Sequence, residues 1–266
     1  MPAARASLPI VQKGTITIIA RNLPAKIILT GLSAVIAVAA VEVISAIRQP
    51  LIPFQNPSRT PVILGSTGPH LMYAVLGDST GAGQGADPPS GIAIKTAEFL
   101  AQDHRVTLVN MAISGARIGD VLNEQIPGTV KLKPDLVLIA VGANDSTHFT
   151  SSTVFAAQFE TVIATLTTMN PKVKIVVTGC PDMGSVPRFA QPLRWFAGTQ
   201  GNRINSALAP VVARHHLVNA DIAGSTGSDF RKDPSLFAAD KFHPNDRGYE
   251  LWIKVLDRAL TSALAG

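Results

Sequence analysis

The sequence holds a single cysteine, Cys180, so no intramolecular disulfide can form and the fold must stand on packing alone. Cys180 is expected to be a small buried residue near a strand end rather than a reactive thiol. The six histidines lack the spacing of a metal cluster, and no metal is expected. No glycine-rich dinucleotide fingerprint, phosphate-loop lysine motif or internal repeat is found, and no cofactor is expected. Charge is also missing where a nucleic-acid binder would carry it. The net charge is +5, but residues 1–60 hold six basic side chains against Glu42 alone, and residues 61–266 hold 17 of each sign. A neutral body offers no phosphate-binding footprint, which argues against a nucleic-acid partner.

Apolar residues make up 46% of the 266, enough for one well-buried domain plus an extra segment. Residues 27–47 form an apolar run closed by Lys26 and Arg48, of about the ~20 residues that cross a bilayer as a helix. Glu42 is its flaw, since a carboxylate at mid-membrane costs ~2.5 kcal/mol or more. Arg5, Lys13, Arg21 and Lys26 precede the run and favour an N-inside orientation, with the body outside the cytoplasm. The run fits a signal anchor first, then a cleaved signal peptide with Ala37-Val38-Ala39 as the small-residue pattern, then a soluble amphipathic or buried helix. The expected organisation is a basic arm and apolar helix over 1–48, a Pro/Gly-rich linker over 49–69, and a catalytic domain over 70–266.

From residue 70 the chain alternates strand-like and helix-like runs. Strands are predicted over 71–76, 105–109, 136–141, 174–178 and 217–219. Helices are predicted over 91–102, 118–125, 153–169, 193–215 (interrupted near Pro210) and 246–265. Such alternation predicts an α/β fold with a parallel sheet covered on both faces. Chemistry in these folds collects in loops beyond the carboxyl ends of the strands.

Four runs fall on predicted loops. Gly77-Asp78-Ser79-Thr80-Gly81 follows the first strand and can leave a serine exposed on a tight turn. Asn110 to Ala116 follows the second strand, and its Gly115 lets a backbone N–H come close to a ligand. Gly142-Ala143-Asn144-Asp145 follows the third, and Asn144 can offer an amide to a developing oxyanion. Asp240-Lys241-Phe242-His243 stands just before the last helix. Serine is a weak nucleophile that needs a base, and the base needs a partner to set its tautomer. Each run alone is also explained by an ordinary turn or cap.

Together, and in this order, the four runs resemble the SGNH hydrolases, also called GDSL esterases and lipases, over residues 70–262. The resemblance implies a three-layer α/β/α sandwich with a five-stranded parallel, flavodoxin-like sheet. It implies a Ser79–His243–Asp240 triad, with Ser79, Gly115 and Asn144 supplying the oxyanion hole. Asp78 is expected to organise the turn, and Asp145 to be structural. Thr80 departs from the leucine of the family's name, which puts the substrate range in doubt rather than the chemistry. The expected activity is hydrolysis of carboxylic esters with short to medium acyl chains at the cell envelope. Two alternatives stay open: an acyltransferase or deacetylase of envelope glycans or lipids, and a non-catalytic envelope binding protein. His148, Trp195 and Phe196 are weighed as cleft-lining residues, with surface or packing roles preferred.

Overall fold

A computed structural model describes residues 25–265. The basic residues Arg5, Lys13 and Arg21 of the predicted arm lie outside the described residues. The chain divides into two compact units between Val41 and Glu42. In the first, the described residues belong to helix α1 (Ala25–Arg48), whose Val35, Ile36, Val38 and Val41 are exposed. Among the described residues no helix is long and apolar enough to cross a membrane, so the expectation of a membrane-crossing helix over 27–47 is without structural support.

The second unit carries the rest of the fold. Its strands are β1 (Val62–Leu64), β2 (His70–Gly77), β3 (Arg105–Asn110), β4 (Leu136–Ala140), β5 (Lys174–Val177) and β6 (Val218–Asn219). The longer helices are α3 (Ile92–Leu100), α7 (Ser152–Met169), α8 (Leu193–Arg214), α9 (Ile222–Lys232) and α10 (Asp246–Ala265). The shorter ones are α2 (Ser79–Ala82), α4 (Ile118–Asp120), α5 (Ile126–Leu132) and α6 (Ala143–Thr147). A π-helical turn, Val121–Gln125, joins α4 to α5.

The sheet order is β1-β3-β2-β4-β5-β6. Strands β2 to β6 pair in parallel, and β1 pairs antiparallel with β3. The five predicted strands are therefore present, but the predicted all-parallel five-stranded sheet is a mixed sheet of six. The extra edge strand comes from residues assigned to the linker. Three residues are too short a run to announce a strand by pattern.

Every residue of β4 is buried. A strand buried on both faces needs helices on both sides of the sheet, which is the layering of α/β folds. The packing of α7 shows how the cover is built. Phe155, Phe159, Val162, Ile163 and Leu166 recur at helical spacing and are all buried. One predicted break is absent: α8 continues through Pro210 to Arg214. From β2 the chain goes out to β3 on one side and then to β4 on the other, and in α/β sheets ligands bind beyond the strand ends at such a reversal.

Candidate active site

Three of the four sequence runs leave the carboxyl ends of adjacent strands β3, β2 and β4. Gly77 ends β2 at φ +137, and a Cβ there would stand 1.8 Å from the Ala140 carbonyl oxygen. Only glycine fits this turn. The Asp78 N–H then donates to that same Ala140 oxygen at 2.9 Å. Gln125, fully buried in the π-helical turn, accepts from the Gly77 N–H and donates to its carbonyl, both at 2.8 Å. Nothing in the sequence pattern distinguished this glutamine from a surface one.

Asp78 caps α2. Its Oδ1 accepts from the Thr80 N–H at 2.9 Å and the Thr80 hydroxyl at 2.8 Å. Threonine at the family's leucine position thus holds the turn together from inside. Burial raises the Asp78 pKa to about 6, against the opposing pull of the Thr80 bonds and His243. Ser79 is the first residue of α2, so its N–H has no partner within the helix.

Ser79 Oγ lies 3.0 Å from His243 Nε2, and His243 Nδ1 lies 2.7 Å from Asp240 Oδ2. Ser79, His243 and Asp240 are 3%, 2% and 6% exposed. The second carboxylate oxygen of Asp240 accepts from the Phe242 N–H at 2.9 Å and the His243 N–H at 3.0 Å. Burial opposes ionisation of Asp240, but the His243 side chain and these two N–H groups outweigh it and hold the pKa at about 2. An ionised Asp240 only accepts, so Nδ1 of His243 carries the proton. In the neutral ring Nε2 is then left to accept from the Ser79 hydroxyl.

The histidine loop is brought to this place by its flanks. Asn245 accepts from the Gly248 N–H in the first turn of α10 and donates to the Ser235 and Phe237 carbonyls. Opposite, Gly85 lies so near the loop that a Cβ would sit 2.3 Å from the Pro244 oxygen. The glycine lets the serine and histidine segments touch.

The loop after β3 is anchored by an Ile113 N–H to Gly77 carbonyl bond at 3.1 Å. Gly115 is exposed in it, with open space where a side chain would stand. Asn144 opens the way from β4 into α6. Its Nδ2 donates to the Ala116 carbonyl at 3.1 Å and so ties the β3 and β4 loops together, with a second N–H remaining. Asp145 accepts from the Ile118 N–H at 3.1 Å, which joins α6 to α4.

Two cavities flank the serine and asparagine. A small one, about 30 Å³, is bounded by Ser79, His243, Met183, Phe230, Phe237 and Trp252. A larger cleft, about 630 Å³, is lined by Asn144, Leu51, Phe149, Phe189, Leu193 and Phe242. His148 also lines this cleft and donates from Nδ1 to the Asn144 carbonyl at 2.9 Å. Trp195 and Phe196 stack edge to face on the surface instead, 60% and 46% exposed. Cys180 is fully buried, and burial pushes its thiol well above the usual range. Gln84, Gln125 and Arg188 also hold this site, and none of them was singled out by the sequence.

Known proteins resemble the chain in sequence and in fold. Residues 75–251 match the GDSL-like lipase/acylhydrolase family. A GDSL-like esterase of Mycobacterium tuberculosis is 32% identical over 200 residues, which is 73% of this chain and 62% of that protein. The chain therefore spans less than two thirds of that relative's length. Among solved structures, a lipase from a goat rumen metagenome has a TM-score of 0.59 at 19% identity, covering 71% of this chain and 97% of its own. An extracellular lipase of Streptomyces rimosus has a TM-score of 0.55 at 24% identity, covering 71% and 99%. At these identities the structural likeness speaks for the fold alone.

Proposed function

The chain belongs to the GDSL-like lipase/acylhydrolase family, and from that premise we propose that it is a serine esterase cleaving carboxylic esters of short to medium acyl chains. The observation that carries this reading is the buried hydrogen-bonded chain from Ser79 through His243 to Asp240. His243 Nε2 takes the hydroxyl proton as Ser79 Oγ attacks the ester carbonyl. Asp240 holds the ring's tautomer and stabilises the imidazolium that forms. The N–H groups of Ser79 and Gly115 and the free N–H of the Asn144 amide stabilise the oxyanion. His243 then protonates the departing alcohol oxygen, leaving an acyl ester on Ser79. Water, deprotonated by the same nitrogen, releases the acid and restores the serine.

The apolar cleft beside Asn144 supports an acyl chain as the part of the substrate bound there. In this reading the catalytic body works outside the cytoplasm. That part of the reading rests on the basic residues ahead of the apolar run; digestion of the body by protease added to intact cells tests it, and fractionation with and without detergent tests anchoring. Turnover of p-nitrophenyl esters of graded acyl length, by the wild type and by Ser79→Ala, tests the chemistry. Loss of all turnover in a folded Ser79→Ala protein is expected. Wild-type rates in that variant would remove Ser79 from the mechanism.

A further inference from the structure

Gln84 follows Ser79 by five residues and is 2% exposed. All four of its polar positions are engaged. The backbone N–H donates to the Ser79 carbonyl at 2.9 Å, and the backbone carbonyl accepts from the Tyr249 hydroxyl at 2.7 Å. The side chain reaches further along the chain in both directions. Nε2 donates to the Ile52 carbonyl at 3.1 Å, and Oε1 accepts from the Ser114 hydroxyl at 2.6 Å.

Both of those partners lead back to the proposed catalytic groups. The Ile52 N–H points at Asp240 Oδ2, at 3.4 Å, the oxygen that also holds His243. Ser114 immediately precedes Gly115, and its N–H donates to Asn56 Oδ1 at 2.8 Å. The segment from Ile52 to Asn56 therefore spans from the orienting carboxylate to the loop of the second oxyanion donor. Arg188 holds the chain just ahead of this segment, donating to the Asp240 and Gln49 carbonyls.

We propose that Gln84 is a positioning residue, whose carboxamide clamps the segment Ile52–Asn56 against the Gly115 loop and so sets the Gly115 N–H for the oxyanion. The inference rests on the esterase reading above. Its chemistry is specific. One planar group must donate on one side and accept on the other, and Gln84 itself is 2% exposed. Leucine offers neither bond, and glutamate cannot donate to the Ile52 carbonyl.

The test is steady-state kinetics on a p-nitrophenyl ester with Gln84→Leu, Ser114→Ala, Ser114→Thr and Asn56→Ala in the full chain. A displaced catalytic group can cost up to ~10²-fold, so a fall of about 10-fold in kcat is expected for Gln84→Leu, Ser114→Ala and Asn56→Ala. KM should stay within about 2-fold, since ground-state binding is untouched. Ser114→Thr keeps the hydroxyl and should keep wild-type kcat. Asn56 is exposed, so its truncation probes the clamp even where Gln84→Leu fails to fold. A purely structural role would lower the melting temperature and leave kcat per folded molecule unchanged. Wild-type kcat in folded Ser114→Ala and Asn56→Ala, or equal damage in Ser114→Thr and Ser114→Ala, overturns the clamp alone. A wild-type protein that turns over no ester overturns the esterase reading and the clamp with it.

Discussion

Asp240 Oδ2 lies 2.7 Å from His243 Nδ1, in a pair that is almost wholly removed from water. The carboxylate is held ionised by its N–H donors, with a pKa of about 2. The imidazole consequently has one tautomer available when neutral.

Asp240→Asn should keep the fold and lower kcat by about 10³–10⁴-fold, because an amide can present its N–H to Nδ1 and trap the wrong tautomer. Initial rates at saturating ester measure this directly. A loss under about tenfold would mean that Asp240 does not orient the histidine.

Gln125 makes a prediction about stability rather than chemistry. Its carboxamide satisfies both backbone groups of Gly77 inside the core. The Gly77 carbonyl also accepts from Ile113, so the N–H is the group that Gln125→Leu strands. A stranded buried donor costs about 1–3 kcal/mol, and denaturant unfolding of Gln125→Leu should show a loss of that size. An unchanged midpoint would show that another group takes over the bond.

Asp257 in α10 is half-buried, and its Oδ1 has no hydrogen-bond partner among the described residues. Burial raises its pKa from 3.8 to about 6, only partly offset by Arg258. An acid with a raised folded pKa binds more protons folded than unfolded in that interval, so its contribution to stability falls as pH rises from about 4 to about 6. Asp257→Asn should flatten this slope and raise stability at pH 7, by about 1 kcal/mol once the shift is discounted for solvent screening. Melting curves from pH 4 to pH 7 read the difference. A variant with the wild-type slope would clear Asp257 of the effect.

Much of the architecture is legible in the sequence. The run Leu136 to Val141 is apolar throughout because β4 is buried on both faces, and a buried strand has no polar side to show. The helix over Ser152–Met169 was legible because its core residues recur at helical spacing. At Pro210 the local rule misleads in the opposite direction. Proline disfavours a helix interior locally, but packing along the rest of α8 carries the helix through. Strand β1 was hidden because its partner, Val106 to Leu108, lies more than forty residues away.

Residue order alone is enough for the fold class, the loops on which chemistry collects, and the short-range units within them. Asp78 capping Thr80, and Asp240 three residues from His243, are local relations that spacing can carry. Which distant groups meet is set by the packed fold. Ser79 and His243 are 164 residues apart and touch because the turn after β2 and the loop ahead of α10 pack together, with Gly85 set against Pro244. Gln84 and Gln125 act through single hydrogen bonds to remote backbone, and such bonds leave no periodicity in the chain. A glutamine that clamps an active site and one that faces solvent are the same letter until burial removes the water that would otherwise satisfy them.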